Sequence, residues 1–281
     1  MLLKAKPAQS IIFKKIKSDI ARFRRPPKLV TILVGDDPAS KLYVQKKTDT
    51  CALLGMHSEM RVLPASTTEE QLIALIRELN TDAGTDGILV QAPLPKPIRS
   101  RVVFDEIHPD KDVDGFHPIN AGLLSQDRPL FPPCTAAGII SLLDFYNIPI
   151  EHKHALVIGR SDIVGKPLSL MLLHRDATVT MAHSKTLNLP QLVKDADIIV
   201  SAVGKPSLLN GNFEYKHTAT VIDVGINRLN DALVGDVDFD TVSVRVANIS
   251  PVPGGVGPMT IAILMKNLVA AYIKNSTYKG I

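Results

Sequence analysis

The chain is poor in cysteine, with 2 in 281 residues. Cys51 and Cys134 stand far apart, which argues against both a disulfide framework and a zinc site built on thiolates. His152, His154 and the other histidines lack the spacing of metal ligands, so no metal is expected. A secretory signal is missing too, because the apolar start Met1-Leu-Leu breaks at Lys4. No stretch approaches the roughly 18 apolar residues that a membrane span needs. Low-complexity segments and short-period repeats are also absent. Together these absences point to a soluble, reduced, cytoplasmic protein with no membrane partner. The formal charge is +4, but the one dense basic run is Arg22-Phe-Arg-Arg25. It lies where a first helix would end, before Pro26-Pro27, and cations are favoured at a helix C-terminus. Basic residues do not interleave with aromatic ones, so no nucleic-acid partner is expected, and the charge suits small anionic ligands.

What is present is organised around Ala155-Leu-Val-Ile-Gly-Arg-Ser-Asp-Ile-Val-Gly-Lys-Pro167. Ala155 to Ile158 reads as a buried strand, Gly159 permits a sharp turn, and Val164 to His174 has helical apolar spacing. Strand, glycine turn and helix make a phosphate cradle. The usual dinucleotide fingerprint is G-x-G-x-x-G; here Gly159 and Gly165 are present, but Arg160 occupies the bend and Ser161 follows it. A guanidinium beside such a cradle suits a ligand with one phosphate more than NAD. The following strand, Ala177 to Ala182, ends in His183-Ser-Lys-Thr186 and not in the carboxylate that binds an NAD ribose. Ser184 and Lys185 could donate to a 2′-phosphate there, which favours NADP.

Upstream, strands at Leu29–Val34, Met60–Leu63 and Gly87–Val90 alternate with helices at 38–54 and 68–79, the latter with a Thr–Glu capping pattern. Ligands of such parallel sheets gather at the carboxyl ends of the strands. Three features fall at that edge: Tyr43 and Lys47 one turn apart on a helix, Gln91 directly after a strand, and Asp114 in the polar turn Lys111-Asp-Val-Asp-Gly115. Residues 116–133 read as a crossing segment. Downstream, strands at Ile198–Val203 and Thr220–Val224 end in Gly204 and Gly225, the latter followed by Ile226 and Asn227. The stretch Ile249-Ser-Pro-Val-Pro-Gly-Gly-Val-Gly-Pro258 makes a rigid, side-chain-poor loop able to lie flat on a planar ligand. An apolar helix from Pro258 follows. The expected fold is α/β with two domains. A three-layer substrate domain spans 1–133 and regains the C-terminal helix 259–281, and a Rossmann-type nucleotide domain spans 134–258.

The motifs Tyr43-Val-x-x-Lys47, Gly87-Ile-Leu-Val-Gln-Ala-Pro-Leu-Pro95, Lys111-Asp-Val-Asp-Gly-Phe116, Gly159-Arg-Ser-x-Ile-Val-Gly-x-Pro167 and Pro251-Val-Pro-Gly-Gly-Val-Gly-Pro-Met-Thr260 run in order over nearly the whole chain. In them the sequence resembles the bacterial bifunctional methylenetetrahydrofolate dehydrogenase/cyclohydrolase family. The departures are Ala136, where the family commonly has proline, Ala92, where it has leucine, and Ala182, where it often has cysteine. The resemblance implies NADP-dependent oxidation of 5,10-methylenetetrahydrofolate and hydrolysis of the methenyl product in the same interdomain cleft. It implies Lys47 as the group that moves protons, Gln91 orienting it, Tyr43 stacking on the substrate and Asp114 accepting from the pterin. Pro251, Gly254 and Gly255 would meet the folate, and Gly159, Arg160, Ser161, Ser184 and Ile226 would hold the cofactor. It also implies a homodimer. The rivals are a dehydrogenase without hydrolysis and a non-catalytic folate- or nucleotide-binding protein.

Overall fold

The computed structural model describes residues 1–229 and 232–277. It divides into two compact units, one of residues 11–132 with 263–281 and the other of residues 1–10 with 133–262. The chain passes from one to the other inside its first and last helices and at Pro132–Pro133.

In the first unit, the helix α1 (Ala5–Ile20) leads into strand β1 (Lys28–Val34). Then come α2 (Pro38–Leu54), β2 (His57–Leu63), α3 (Glu69–Thr81), β3 (Gly87–Val90), α4 (Ser100–Glu106) and α5 (Pro118–Ser125). The three strands form a parallel sheet in the order β2-β1-β3. Alternation along β1 sends Val30, Ile32 and Val34 to one face, where they meet Leu72, Ile76 and Leu79 of α3 and Val103 of α4. The spacing of those three α3 residues, i, i+4 and i+7, is what gives that helix one apolar face. Asp37 and Pro38 start α2 as expected, with Asp37 Oδ2 accepting from Ser40 N at 2.7 Å, and Gly55 ends it at φ 76°. The capping box of α3 is real, but Thr68 pairs with Gln71 and not with a glutamate. Two elements went unrecognised in the expected crossing segment and before it, α5 and α4, because each is under three turns and carries little periodicity.

The second unit holds α6 (Cys134–Phe145), β4 (His154–Ile158), α7 (Gly165–Leu173), β5 (Thr178–Ala182), α8 (Leu189–Asp195), β6 (Ile198–Ser201) and β7 (Thr220–Asp223). A hairpin follows, β8 (Asn227–Leu229) and β9 (Ala232–Val234), then α9 (Phe239–Ser243), β10 (Asn248–Ile249) and α10 (Val256–Thr277). Five strands form a parallel sheet in the order β10-β7-β6-β4-β5. Residues 1–10 belong here and not with the first unit, where the sequence suggested. The reason is local: Leu3 N donates to Ile249 O at 2.8 Å and Ile249 N to Met1 O at 3.0 Å, so the N-terminus runs beside β10.

The latter part of α10 belongs to the three-stranded unit. There Asn267 Nδ2 donates to Val113 O at 2.9 Å and to Pro132 O at 3.0 Å. Positions 278–281 of the expected helix lie outside the described residues. Contrary to expectation, this segment is long and apolar enough to cross a membrane, with a mean hydropathy of 1.5 over Val256–Ser276. Since 61% of its apolar window is buried in the protein, packing accounts for that composition.

The basic run Arg22–Arg25 follows α1 and does not cap it. Arg25 forks onto Asp86, at 2.6 and 2.8 Å, and lies 5.0 Å from the ring centroid of Tyr272. Asp86 is 1% exposed and also accepts from Lys28 N at 2.8 Å, so the guanidinium is the partner that a buried carboxylate needs. Arg25→Ala should destabilise the protein by about 3 kcal/mol, the low end for a broken buried pair because the arginine is itself 42% exposed. Urea unfolding followed by circular dichroism checks this, and a loss under about 0.5 kcal/mol, the range of an ordinary surface substitution, would contradict it.

Candidate active site

In a parallel sheet, the edge where the strand order reverses opens a crevice. The three-stranded sheet reverses at β1, whose neighbours are β2 and β3. Gln91 leaves the sheet directly after β3, with its own N–H bonded to Ile32 O of β1 at 2.9 Å. Lys47, on the helix that follows β1, donates from Nζ to Gln91 Oε1 at 3.0 Å. Gln91 Nε2 donates to Ala92 O at 2.6 Å. The amide orientation therefore satisfies a donor on one side and an acceptor on the other, so Oε1 must face the lysine. Tyr43 lies one turn before Lys47, and both are half-buried. Burial pushes the Tyr43 phenol above its ordinary pKa, so the ring stays neutral.

Asp114 is partly buried, in a turn built by its neighbour. Asp112, 1% exposed, accepts from Gly115 N at 3.1 Å, His117 N at 2.8 Å and Asn120 Nδ2 at 2.8 Å. Burial pushes the Asp112 carboxyl up. The same segment runs parallel to β3, bridging at Ile88 and Asp112, so Asp114 follows toward the carboxyl end of that strand. Asp112 and Asn120 were missed in the sequence. The two aspartates of Asp-Val-Asp look alike there, and only burial separates the one that builds the turn from the one it presents.

The five-stranded sheet reverses at β4, between β5 and β6. All the expected nucleotide-unit residues leave this sheet at its carboxyl edge. Gly159, Arg160 and Ser161 follow β4, Ser184 follows β5, Ile226 follows β7, and Pro251, Gly254 and Gly255 follow β10. Gly159 N donates to Ala182 O at 2.8 Å, tying the exits of β4 and β5 together. In the turn after β4, only glycine fits at 159 and at 165. A Cβ on Gly159 would stand 2.4 Å from Ala202 O, and one on Gly165 would stand 2.1 Å from Gly159 O. The turn thus lies flat against its neighbours and leaves its outer side open. Arg160, Ser161, Ser184 and Lys185 are all exposed there. This cradle, with a guanidinium, a hydroxyl and an ammonium at adjacent strand exits, fits a dinucleotide carrying a 2′-phosphate. Ser161 has a further use. Its Oγ accepts from Val164 N at 3.2 Å and Gly165 N at 3.3 Å, so it caps α7 from within the turn.

Residues 3–114 match the model of the tetrahydrofolate dehydrogenase/cyclohydrolase catalytic domain, and residues 133–276 match that family's NAD(P)-binding domain. The bifunctional protein FolD of Acholeplasma laidlawii is 49% identical, over 98% of this chain and 99% of its own. The chain belongs to the tetrahydrofolate dehydrogenase/cyclohydrolase family. The crystal structure of the bifunctional enzyme from Campylobacter jejuni superposes with a TM-score of 0.93 at 43% identity, covering 98% of this chain and 99% of that one. The enzyme of Trypanosoma brucei, solved with NADP cofactor and an inhibitor, has a TM-score of 0.94 at 36% identity, covering 98% of each chain.

Against the family pattern, Ala136 is fully buried in the first turn of α6 and Ala182 fully buried at the end of β5, while Ala92 keeps the backbone carbonyl that Gln91 uses. None of the three alters a polar group of the site. Among the described residues no cluster of histidine, cysteine, aspartate or glutamate could hold a metal ion. Gly165→Ala should cost about 1–3 kcal/mol by overpacking against the Gly159 carbonyl. A thermal melt checks this, and an unshifted transition would contradict the close approach.

Proposed function

We propose that this chain oxidises 5,10-methylenetetrahydrofolate with NADP and hydrolyses the 5,10-methenyl product to 10-formyltetrahydrofolate. Membership of a family with both domains supports the pair of activities. The observation that carries the hydrolysis is the 3.0 Å bond between Lys47 Nζ and Gln91 Oε1. The methenyl carbon lies between two nitrogens and is cationic, so it is already electrophilic. Water adds to it, a carbon–nitrogen bond opens and a proton leaves. Lys47 is the proton carrier, and Gln91, fixed by its own bond to Ala92 O, aims it. Tyr43 supplies a neutral ring for stacking, and Asp114 accepts hydrogen bonds from the pterin. A non-catalytic binding protein would have no use for the Lys47–Gln91 pair.

NADP, when bound, accepts the electrons of the oxidation. Gly159 and Gly165 let its backbone-facing side approach closely, and Arg160 and Ser184 bind the 2′-phosphate. Ser161 keeps the turn closed, and Ile226, 45% exposed, offers an apolar contact. The Pro251–Gly255 turn, with Gly255 N bonded to Pro251 O at 2.8 Å, is the side-chain-poor surface of the five-stranded unit for the planar substrate. We propose a cytoplasmic location and a homodimer, and sedimentation at micromolar concentration checks the dimer.

Lys47→Met should lower cyclohydrolase turnover at least a hundredfold, within the usual contribution of a positioned proton carrier. Hydrolysis at the parent rate would remove Lys47 from the mechanism. Arg160→Ala should raise KM for NADP about tenfold or more and leave that for NAD nearly unchanged, as expected for a lost charge-assisted contact. Equal effects on the two would sink the phosphate role.

A further inference from the structure

The loops that carry the cofactor edge of the five-stranded sheet are held by two buried carboxylates that the proposed chemistry does not use. Asp236 is 0% exposed. Its Oδ2 accepts from Ser201 Oγ at 3.1 Å, Val203 N at 2.8 Å and Gly204 N at 3.3 Å. Its Oδ1 accepts from Lys205 N at 2.8 Å and from Asn227 Nδ2 at 3.2 Å. One side chain thus gathers the end of β6, the loop after it and the start of β8, where the loop after β7 ends. Removing this one acceptor would leave several buried donors unmatched, which costs heavily.

Asp223, at the end of β7, holds Asp236 in turn. Asp223 Oδ1 accepts from Asp236 N at 2.8 Å and Gly225 N at 3.0 Å, and Oδ2 accepts from Val237 N at 2.9 Å. The space is cut for these groups. A Cβ on Gly225 would stand 2.1 Å from Asp236 Oδ1, and one on Gly235 would stand 1.7 Å from Asp223 Oδ2. Glycine at both positions is therefore required by the carboxylates. The β8–β9 hairpin returns the chain so that Asp236 meets the edge that Asp223 has just left.

The loop gathered by Asp236 is the neighbour of the glycine cradle. Gly159 approaches Ala202 O, and a Cβ on it would also be 3.5 Å from Val203 Cγ1. The second gathered loop bears Ile226. We infer that Asp236, backed by Asp223, is a positioning residue for the nicotinamide cofactor, setting the loops after β6 and β7 at the edge where it binds. The inference rests on the reading of this unit as the NADP-binding one. Removing the carboxylate releases three backbone N–H groups from the inside of the loop, and the loop can then turn them outward.

The test uses the full-length enzyme and its Asp236→Asn and Asn227→Ala variants. Asp236→Asn puts an amide N–H₂ against donors that need an acceptor, and Asn227→Ala removes one partly exposed partner only. NADPH binding is titrated by its fluorescence, KM for NADP and kcat are measured for the dehydrogenase, and hydrolysis of added methenyltetrahydrofolate, which needs no cofactor, is the internal reference. The expected result is an NADPH Kd at least tenfold higher in Asp236→Asn and at least threefold higher in Asn227→Ala, rising in parallel with KM. Hydrolysis should stay within twofold of the parent. A Kd within twofold of the parent in either folded variant overturns the inference, as does an equal loss of hydrolysis and binding in Asn227→Ala. Should Asp236→Asn not fold, Asn227→Ala alone decides. A parent enzyme that does not bind NADPH would instead overturn the reading of the unit.

Discussion

Parallel pairing is the constraint on which both halves of this protein depend. Every strand of a parallel sheet ends at the same edge, so the loops that follow all begin there. In the three-stranded unit that brings the helix after β1 and the exit of β3 together, and Lys47 meets Gln91 although 44 positions separate them. In the five-stranded unit it collects the turns after β4, β5, β6, β7 and β10. Neither set of residues would be assembled by local structure alone. The reversal of strand order at β1 and at β4 then decides where along each edge the backbone opens.

An edge of this kind has a cost, because the first N–H groups of every exit loop lose their ladder partners. The protein meets it with side-chain acceptors of its own, two of them buried carboxylates. Asp112 closes the turn that presents Asp114, Ser161 caps α7 from within its own turn, and Asp236 gathers the loops after β6 and β7. Burial pushes the Asp223 carboxyl up to about 6. Three backbone donors oppose that shift without cancelling it, so desolvation outweighs hydrogen bonding at this group. These acceptors leave the outer faces of the loops to ligands. The small residues at Gly159 and Gly165 let the loops lie flat enough for a ligand to approach.

Much of this was legible in the sequence. Continuous apolar runs such as Leu29–Val34 and Ala155–Ile158, each closed by glycine, gave the buried parallel strands. Asp37-Pro38 gave the start of α2, and helical spacing placed Tyr43 and Lys47 on one face. Other parts were not legible. The pairing of Met1–Leu3 with β10 depends on contact across more than two hundred positions, and no local pattern encodes it. Arg25 looked like a helix-terminal charge because its partner, Asp86, is distant in the chain. The apolar strand Thr220-Val-Ile-Asp223 did carry a signal for the carboxylate network, since an aspartate closing a buried strand needs partners. Its partner loop arrives only through the hairpin, which sequence periodicity does not reveal.

We propose that one chain carries an NADP-linked oxidation and a lysine-assisted hydrolysis in succession. This is tested most directly by mixing the purified protein with 5,10-methylenetetrahydrofolate and NADP and following NADPH and methenyl absorbance together. NADPH should form without methenyl build-up beyond the uncatalysed balance. Methenyltetrahydrofolate accumulating in step with NADPH would contradict it.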